Sequence, residues 1–210
     1  FILVTINAVV FVLSLLLMGI FGEEKILSLF ALQSNAFFSG TVWTLITSMF
    51  MHGNFTHLLV NMVSLFFIGN FIEKLIGKKR FFWLYILSGI FAGLMFVVLS
   101  YFFGNTDLGA RIFGSPEIFA VGASGAIFAL GGLLTILTPN LKVYAFFIIP
   151  MRIWTAMIFF LVVMWVASVS AGLPFGNTAH FGGLIAGIGY GVYLRRKYKN
   201  KTRYIRKYFS

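Results

Sequence analysis

Six apolar runs, separated by charged or Gly- and Pro-containing segments, divide the 210-residue chain. Most of them approach the roughly 20 residues that a helix needs to cross a bilayer. The first run is too long for a signal-peptide core and is followed by no small-residue cleavage site, so we expect it to be retained. The pattern predicts an all-α fold, a polytopic six-transmembrane helical bundle. Its spans are predicted near residues 2–20, 57–76, 81–103, 124–138, 153–171 and 179–193.

Composition excludes a soluble domain. Hydrophobic residues make up 60% of the chain and charged residues 10%, with a mean hydropathy of +0.98. Soluble domains carry about 25% charged residues. The chain contains no cysteine, which excludes disulfides, thiol catalysis and thiolate metal sites. No zinc-protease motif and no intramembrane aspartate pair occurs, so we predict no cofactor and no metal site.

Basic residues indicate the orientation. All of them except Lys25 and Arg111 lie between runs two and three, between runs four and five, or after residue 194. Cytoplasmic loops collect Lys and Arg. Both termini are therefore predicted to be cytoplasmic in a multi-pass protein of the cell membrane, with runs two, four and six starting at the outer face.

The chain divides into a membrane domain, residues 1–194, and a basic cytoplasmic tail, residues 195–210. The tail can bind anionic membrane lipids, or it can be a topology anchor with a solvated end. Charge alone also permits nucleic-acid binding, but no fold signal supports a nucleic-acid partner. The loop from residue 22 to 55 is long, sparsely charged and rich in aromatic residues, so we expect it to lie in the outer membrane interface.

A candidate nucleophile, Ser124, lies between Gly122-Ala123 and Gly125-Ala126. Small residues in membrane helices also serve as plain packing surfaces. Two histidines favour a catalytic role for Ser124 over plain packing, because His57 and His180 lie at the predicted outer starts of runs two and six. A serine hydroxyl needs a general base, and His180 is the well-placed candidate.

No Asp or Glu follows Glu117, so a carboxylate orienter is not available on runs four to six. A Ser-His dyad is therefore favoured over a triad. Phe128 lies four residues after Ser124 and can pack against the imidazole, or can simply pack in the core or against lipid.

Acyl transfer to a serine also needs hydrogen-bond donors for the oxyanion that develops on the carbonyl oxygen, and run two carries two candidates. His57 and Asn61, four residues apart, share a helix face. Backbone N–H groups of Ala123 and Ser124, at a helix start, are natural companions because the helix dipole favours negative charge there. His52 is predicted to form interface hydrogen bonds rather than to act in catalysis.

Three motifs together resemble the rhomboid intramembrane serine proteases. They are G-A-S-G at 122–125, A-H-x-x-G-x-x-x-G from Ala179 to Gly187, and H-x-x-x-x-H-x-x-x-N from His52 to Asn61. The resemblance implies a Ser124–His180 protease with His57 and Asn61 at the oxyanion.

The resemblance also implies the substrates, which would be transmembrane segments of other membrane proteins, weakened by small or helix-breaking residues and entering laterally. The family carries a Trp-Arg pair in its first loop, whereas Trp43 is followed here by Thr44. One rival is a catalytically inactive rhomboid-like protein that binds membrane clients. A small transporter is disfavoured because internal repeats and intramembrane charges are not seen.

Run four is short. Fifteen residues from Ser124 to Thr138 span about 22 Å, against a hydrocarbon core of about 30 Å. If the inner end reaches the cytoplasmic interface, Ser124 lies about 8 Å below the outer surface. Non-helical chain at that depth is tolerated only inside protein or against water, so a water-filled pocket that opens outward is predicted.

Glycines predict how runs four and six meet. Gly183, Gly187 and Gly191 form a smooth stripe below His180, and Gly125 begins a similar stripe on run four. Docking of the two stripes would set the Ser124–His180 distance. From the sequence we expect Gly187→Val to disrupt this contact and Gly187→Ala to be tolerated. The segment 171–178 is predicted to be either a movable cap over the pocket or an ordinary tight turn.

Overall fold

The computed structural model describes residues 2–145, 148–173 and 176–209. It consists mainly of helices of very different length. The long helices coincide with the apolar runs, with ends that differ by up to four residues. In chain order the helices are α1 (Ile2–Phe21), α2 (Glu23–Phe30), α3 (Ser34–Phe38), α4 (Thr44–Thr47), α5 (Phe55–Ser64), a π-helical turn (Leu65–Gly69), α6 (Asn70–Ile76), α7 (Lys78–Phe103), α8 (Asp107–Phe113), α9 (Ser124–Leu137), α10 (Ile153–Ala171), α11 (Asn177–Lys197) and α12 (Lys199–Tyr208).

Four helices are long and apolar enough to cross a bilayer: Ile2–Phe21, Phe55–Ile76, Lys78–Phe103 and Ile153–Ala171. Helix α9 is apolar but shorter, with 14 residues. Helix α11 has 21 residues, but its polar start and its glycines lower its hydropathy. The chain is therefore a polytopic helical membrane protein, and the count of six spans stays a prediction.

The fold is mostly helical as predicted, with the addition of one short β-hairpin that the sequence analysis did not predict. Strands β1 (Lys142–Ala145) and β2 (Ile149–Arg152) pair antiparallel, with Lys142 opposite Arg152. Backbone N–H of Ile153 donates to the Leu141 carbonyl oxygen at 2.8 Å, which closes the hairpin at the start of α10. With four residues each, the strands are too short to give a clear alternation of apolar and polar residues in the sequence.

The long first loop is structured. Helices α2, α3 and α4 lie within it, and Trp43 Nε1 donates to the Leu29 carbonyl oxygen at 2.8 Å. Ser34 and Ser100 hydroxyls form a hydrogen bond that attaches the loop to α7. Thr44, at the position where the family carries arginine, is fully buried, and its hydroxyl donates to the Thr41 carbonyl oxygen. The loop is thus held by backbone and hydroxyl hydrogen bonds.

Helix α9 lies at the centre of the bundle, packed against α7, α10 and α11. Leu130, Leu133 and Leu134 on it are fully buried. Burying a leucine side chain stabilises a fold by about 1.5–3 kcal/mol in water; within a bilayer, close packing of small residues supplies much of the helix association. The central position of α9 places its first residue, Ser124, inside the protein.

Candidate active site

Ser124 is the first residue of α9, and the chain reaches it through a glycine with a left-handed backbone. Gly122 has φ +122°, a conformation that side chains other than hydrogen disfavour. A Cβ built there would lie 2.8 Å from Cε1 of the His57 ring and 3.8 Å from the Ser124 hydroxyl oxygen. Gly122 N–H donates to the Ser48 carbonyl oxygen at 2.9 Å. The glycine therefore lets the His57 ring approach the turn that presents Ser124.

His180, on the first turn of α11, reaches Ser124. Its Nε2 lies 2.8 Å from Ser124 Oγ, a normal hydrogen-bond distance. Its ring stacks on Phe128, with centroids 4.6 Å apart and an interplanar angle of 16°. Nδ1 is buried and has no hydrogen-bond partner among the described residues. Stacking therefore orients the imidazole, and no described carboxylate bonds to its second nitrogen.

Glycines bring α9 and α11 into close backbone contact beside this pair. A Cβ on Gly183 would overlap the Gly125 carbonyl oxygen, and a Cβ on Gly187 would overlap the Ala129 carbonyl oxygen. The predicted docking of the two stripes is thus present. The prediction that Gly187→Ala would be tolerated is contradicted, because the obstacle is backbone rather than a side chain that could move.

A cavity of about 770 Å³ opens over the pair. Ser124, His57 and His180 line it, together with Gly122 and Gly125. This agrees with the pocket that the short fourth run predicts. Its size falls within the range of about 300–1,000 Å³ that is usual for ligand-binding pockets.

The predicted oxyanion residues lie in different surroundings. His57 lines the cavity, and Ala123 precedes the helix whose first N–H groups have no partner within α9. Asn61 is buried, and its Nδ2 donates to the His57 carbonyl oxygen at 2.8 Å. It is not among the described residues that line the cavity. Its oxyanion role therefore stays a prediction.

Asn54 is a cavity residue that the sequence analysis did not single out. Its side chain accepts the His57 N–H at 2.8 Å and caps α5. Asparagine is a preferred N-cap residue, and its position three residues before His57 was the available signal. The cap fixes the start of α5 and, with it, the place where the His57 side chain leaves the helix.

Two charged residues that the sequence analysis did not place in the site also line the cavity. Asp107 and Arg111 lie on α8 at the cavity wall. Arg111 Nη1 donates to the Val169 carbonyl oxygen at 3.1 Å, and Ser168 Oγ donates to the Arg111 carbonyl oxygen at 3.0 Å. These bonds join α8 to α10. Only the tertiary arrangement brings α8 over Ser124.

His52 lies outside the spans, beside His57. The two rings meet edge to face with centroids 5.2 Å apart. Burial lowers the pKa of His52 to about 4, with a further contribution from His57. Neither ring nitrogen has a hydrogen-bond partner within the described ranges, and the interface hydrogen bonds of His52 stay a prediction. His52 therefore supports the His57 ring by packing, in its neutral form.

The predicted cap over the pocket falls partly outside the described residues, which omit Pro174 and Phe175. On either side of them, Gly172, Leu173 and Gly176 line the cavity. The movement of this segment stays a prediction. Across residues 2–145, 148–173 and 176–209, no group of three His, Asp or Glu side chains could hold a metal ion.

Phe128→Ala tests the stacking contact. Stacked aromatic pairs are worth about 0.5–1.5 kcal/mol beyond buried area, so losing the contact frees the His180 ring. We expect the rate at which a fluorophosphonate probe labels Ser124 to fall about 2–12-fold, while Phe128→Tyr keeps the stacking. Initial rates of both folded variants check this; equal rates for alanine and wild type would remove Phe128 from the site.

Comparison with known proteins identifies the family. The Rhomboid domain family model matches residues 39–197. RHOMBOID-like protein 5 of Arabidopsis thaliana is 35% identical over 173 residues, which is 80% of this chain and 50% of that protein. Rhomboid protein 1, mitochondrial, of Saccharomyces cerevisiae is 34% identical over 157 residues, covering 73% of this chain and 42% of the relative.

Rhomboid protease GluP of Bacillus subtilis is 27% identical over 170 residues, covering 80% of this chain and 29% of that protein. The chain thus spans half or less of the length of these curated relatives. The family model nevertheless covers most of the chain and includes every motif residue named above. The chain belongs to the rhomboid family.

Proposed function

We propose that this chain is an intramembrane serine endopeptidase in which Ser124 is the nucleophile and His180 the general base. One observation carries the proposal: the 2.8 Å contact between His180 Nε2 and Ser124 Oγ inside the cavity. A nucleophile and base within hydrogen-bond reach are the signature of an activated serine. Membership of a family with relatives named as proteases supports it.

Acylation uses the dyad directly. With its proton on Nδ1, His180 accepts the Ser124 hydroxyl proton at Nε2 while Oγ bonds to the scissile carbonyl carbon. The carbonyl π electrons move to oxygen. When the tetrahedral intermediate collapses, the C–N bond breaks and the imidazolium returns the proton to the leaving amine. A water then repeats the sequence on the acyl-enzyme and releases the acid.

The negatively charged oxygen of the tetrahedral intermediate needs hydrogen-bond donors. Backbone N–H groups at the start of α9 and the His57 side chain are the proposed donors, because both border the cavity beside Ser124. Each donor aimed at the oxyanion contributes about 10²–10³ in rate. The helix dipole of α9 adds to this because its positive end is at Ser124.

Substrates are proposed to be transmembrane segments of other membrane proteins, since three helices long enough to cross a bilayer line the cavity and the chain belongs to a membrane-embedded family. A helix must unwind locally to place a peptide bond at Ser124, which favours segments with small or helix-breaking residues. We also propose six spans, with α9 and α11 as the fourth and sixth, both termini cytoplasmic and the site near the outer face.

A fluorophosphonate probe tests the activity. The purified protein should be labelled at Ser124 and should cleave a single-span substrate reconstituted in the same detergent or liposome. Mass spectrometry of the labelled peptide identifies the serine. Absence of both labelling and cleavage in folded protein would favour the alternative, an inactive rhomboid-like protein that binds membrane clients.

Asn61→Ala separates stabilisation of the oxyanion from serine reactivity. If Asn61 contributes a donor, the alanine variant should cleave about 10–10³-fold more slowly while Ser124 remains accessible to the probe. Steady-state cleavage and probe labelling are measured on the same preparation. Asn105→Ala is the control, because Asn105 is exposed after α7 and its amide likewise donates to a carbonyl oxygen four residues earlier. A wild-type rate for Asn61→Ala would remove this residue from the oxyanion site.

A further inference from the structure

A second cavity, of about 820 Å³, lies at the end of the bundle opposite Ser124. Pro139 and Asn140, just after α9, form one wall, and the end of α11 and one face of α12 form the others. Because α9 has 14 residues, it separates the two cavities by about 21 Å. The second cavity therefore belongs to no part of the site described above.

Positive charge dominates this cavity. Its basic lining residues are Arg195, Arg196, Lys199, Arg203, Arg206 and Lys207. The chain has no Asp or Glu after Glu117, so no acidic side chain of α9 to α12 offsets the charges of Arg195, Arg196, Lys199, Arg203 and Arg206. The carbonyl ends of α9 and α11 together contribute only about one unit of negative charge. A net positive site remains.

One face of α12 carries the lining. Lys199, Thr202, Arg203 and Arg206 have the i, i+3, i+4, i+7 spacing of a single helix face and all border the cavity. Lys201 is on the same helix, is exposed, and does not border it. Helix α12 therefore has one basic face that lines the cavity and another face that does not.

Several contacts hold α12 in place. Thr202 is buried, and its hydroxyl donates to the Tyr198 carbonyl oxygen at 3.0 Å. Arg80, at the start of α7, donates to the Tyr198 hydroxyl at 2.9 Å and lies over the Tyr198 ring. Phe209 meets Phe71 of α6 edge to face, with centroids 5.4 Å apart. The tail is therefore a docked helix rather than a solvated end, and its basic groups need little ordering to bind an anion.

We propose that this cavity binds the phosphate of an anionic membrane lipid. Guanidinium groups match phosphate oxygens with paired N–H donors, and basic pockets at helix ends are suited to lipid headgroups. The lining also includes apolar Val192 near the end of α11 and Pro139 just after α9, and the proposed topology puts both at the cytoplasmic membrane surface. A lipid fits this combination better than a soluble phosphate, because its acyl chains remain in the bilayer while its headgroup enters the cavity.

Native mass spectrometry of the full chain in neutral detergent tests the proposal without relying on proteolysis. Phosphatidylglycerol, phosphatidylcholine and inorganic phosphate are titrated separately, and bound lipids are counted. We expect one retained phosphatidylglycerol, no comparable retention of phosphatidylcholine, and no competition from inorganic phosphate at the same concentration. Thermal unfolding should shift upward with phosphatidylglycerol only.

Matched variants locate the site. Arg203→Gln with Arg206→Gln should weaken phosphatidylglycerol binding about 10–30-fold. Lys142→Gln with Lys201→Gln removes the same charge outside the cavity and should change binding less than about twofold. If the first pair fails to fold, Arg203→Gln is compared with Lys201→Gln, with about fivefold weakening expected.

Equal weakening by the cavity pair and the control pair would overturn the proposal, since charge alone would then explain binding. Equal retention of phosphatidylcholine, or displacement of the lipid by inorganic phosphate at equal concentration, would overturn it as well.

Discussion

Ser124→Ala and His180→Ala should each lower substrate cleavage by about 10⁴–10⁶-fold, and the double variant should be no worse than either single variant. The reason is that the two side chains act as one unit: without the base the hydroxyl is not activated, and without the hydroxyl the base has no proton to accept. The 2.8 Å contact between them is the structural basis of this expectation.

Cleavage rates in liposomes and probe labelling measure the effect. Ser170→Ala is the control, because Ser170 is exposed on α10 and donates only to the Val166 carbonyl oxygen of its own helix. This variant should keep wild-type activity. Losses that multiply in the Ser124/His180 double variant would contradict a shared catalytic unit.

Gly187→Ala should lower cleavage and probe labelling together by about 10²-fold or more, although it adds one methyl group far from the reacting atoms. Gly187 lies two helix turns beyond His180. Its added Cβ would overlap the Ala129 carbonyl oxygen and lie 2.6 Å from the Ala129 carbonyl carbon. Backbone atoms cannot rotate away, so α9 and α11 must separate. A displacement of about 1 Å at a catalytic pair can cost 10²-fold in rate.

Gly189→Ala is the matched control on the same helix. A Cβ there meets nothing within 4 Å, and alanine favours helix over glycine by about 1 kcal/mol. The control should be active and at least as stable as wild type. Both variants are compared after confirming that each is monodisperse in detergent. Wild-type cleavage by folded Gly187→Ala would mean that the contact between α9 and α11 does not set the Ser124–His180 distance.

Local signals made much of the candidate site predictable. The glycine-flanked Ser124 and the helix-start positions of His57 and His180 are visible in short windows, and hydropathy placed them at one end of the bundle. The phenyl ring of Phe128 could be assigned to the imidazole because four residues is one helical turn. The sequence could not separate this from core or lipid packing; the stacked geometry does.

Non-local contacts were not predictable. Nothing in the sequence around Asp107 and Arg111 shows that α8 borders the cavity over Ser124. The β-hairpin was missed for the same reason. Asn61 lies one turn after His57, as predicted. Its amide, however, donates to the backbone carbonyl oxygen of His57, which is within reach on the same helix.

The sequence by itself determined that this is a polytopic helical membrane protein, which residues are candidates for its chemistry, and which helices have stripes of small residues that can dock. Apolar length, helical period and glycine spacing are properties of the chain alone. Only the tertiary structure decided how closely α9 and α11 approach, and therefore that even one methyl group at Gly187 meets backbone. The position of α12 beside the end of α9 was likewise visible only in the tertiary structure. Distances between helices depend on all the contacts of the fold together, and not on any one segment of the sequence.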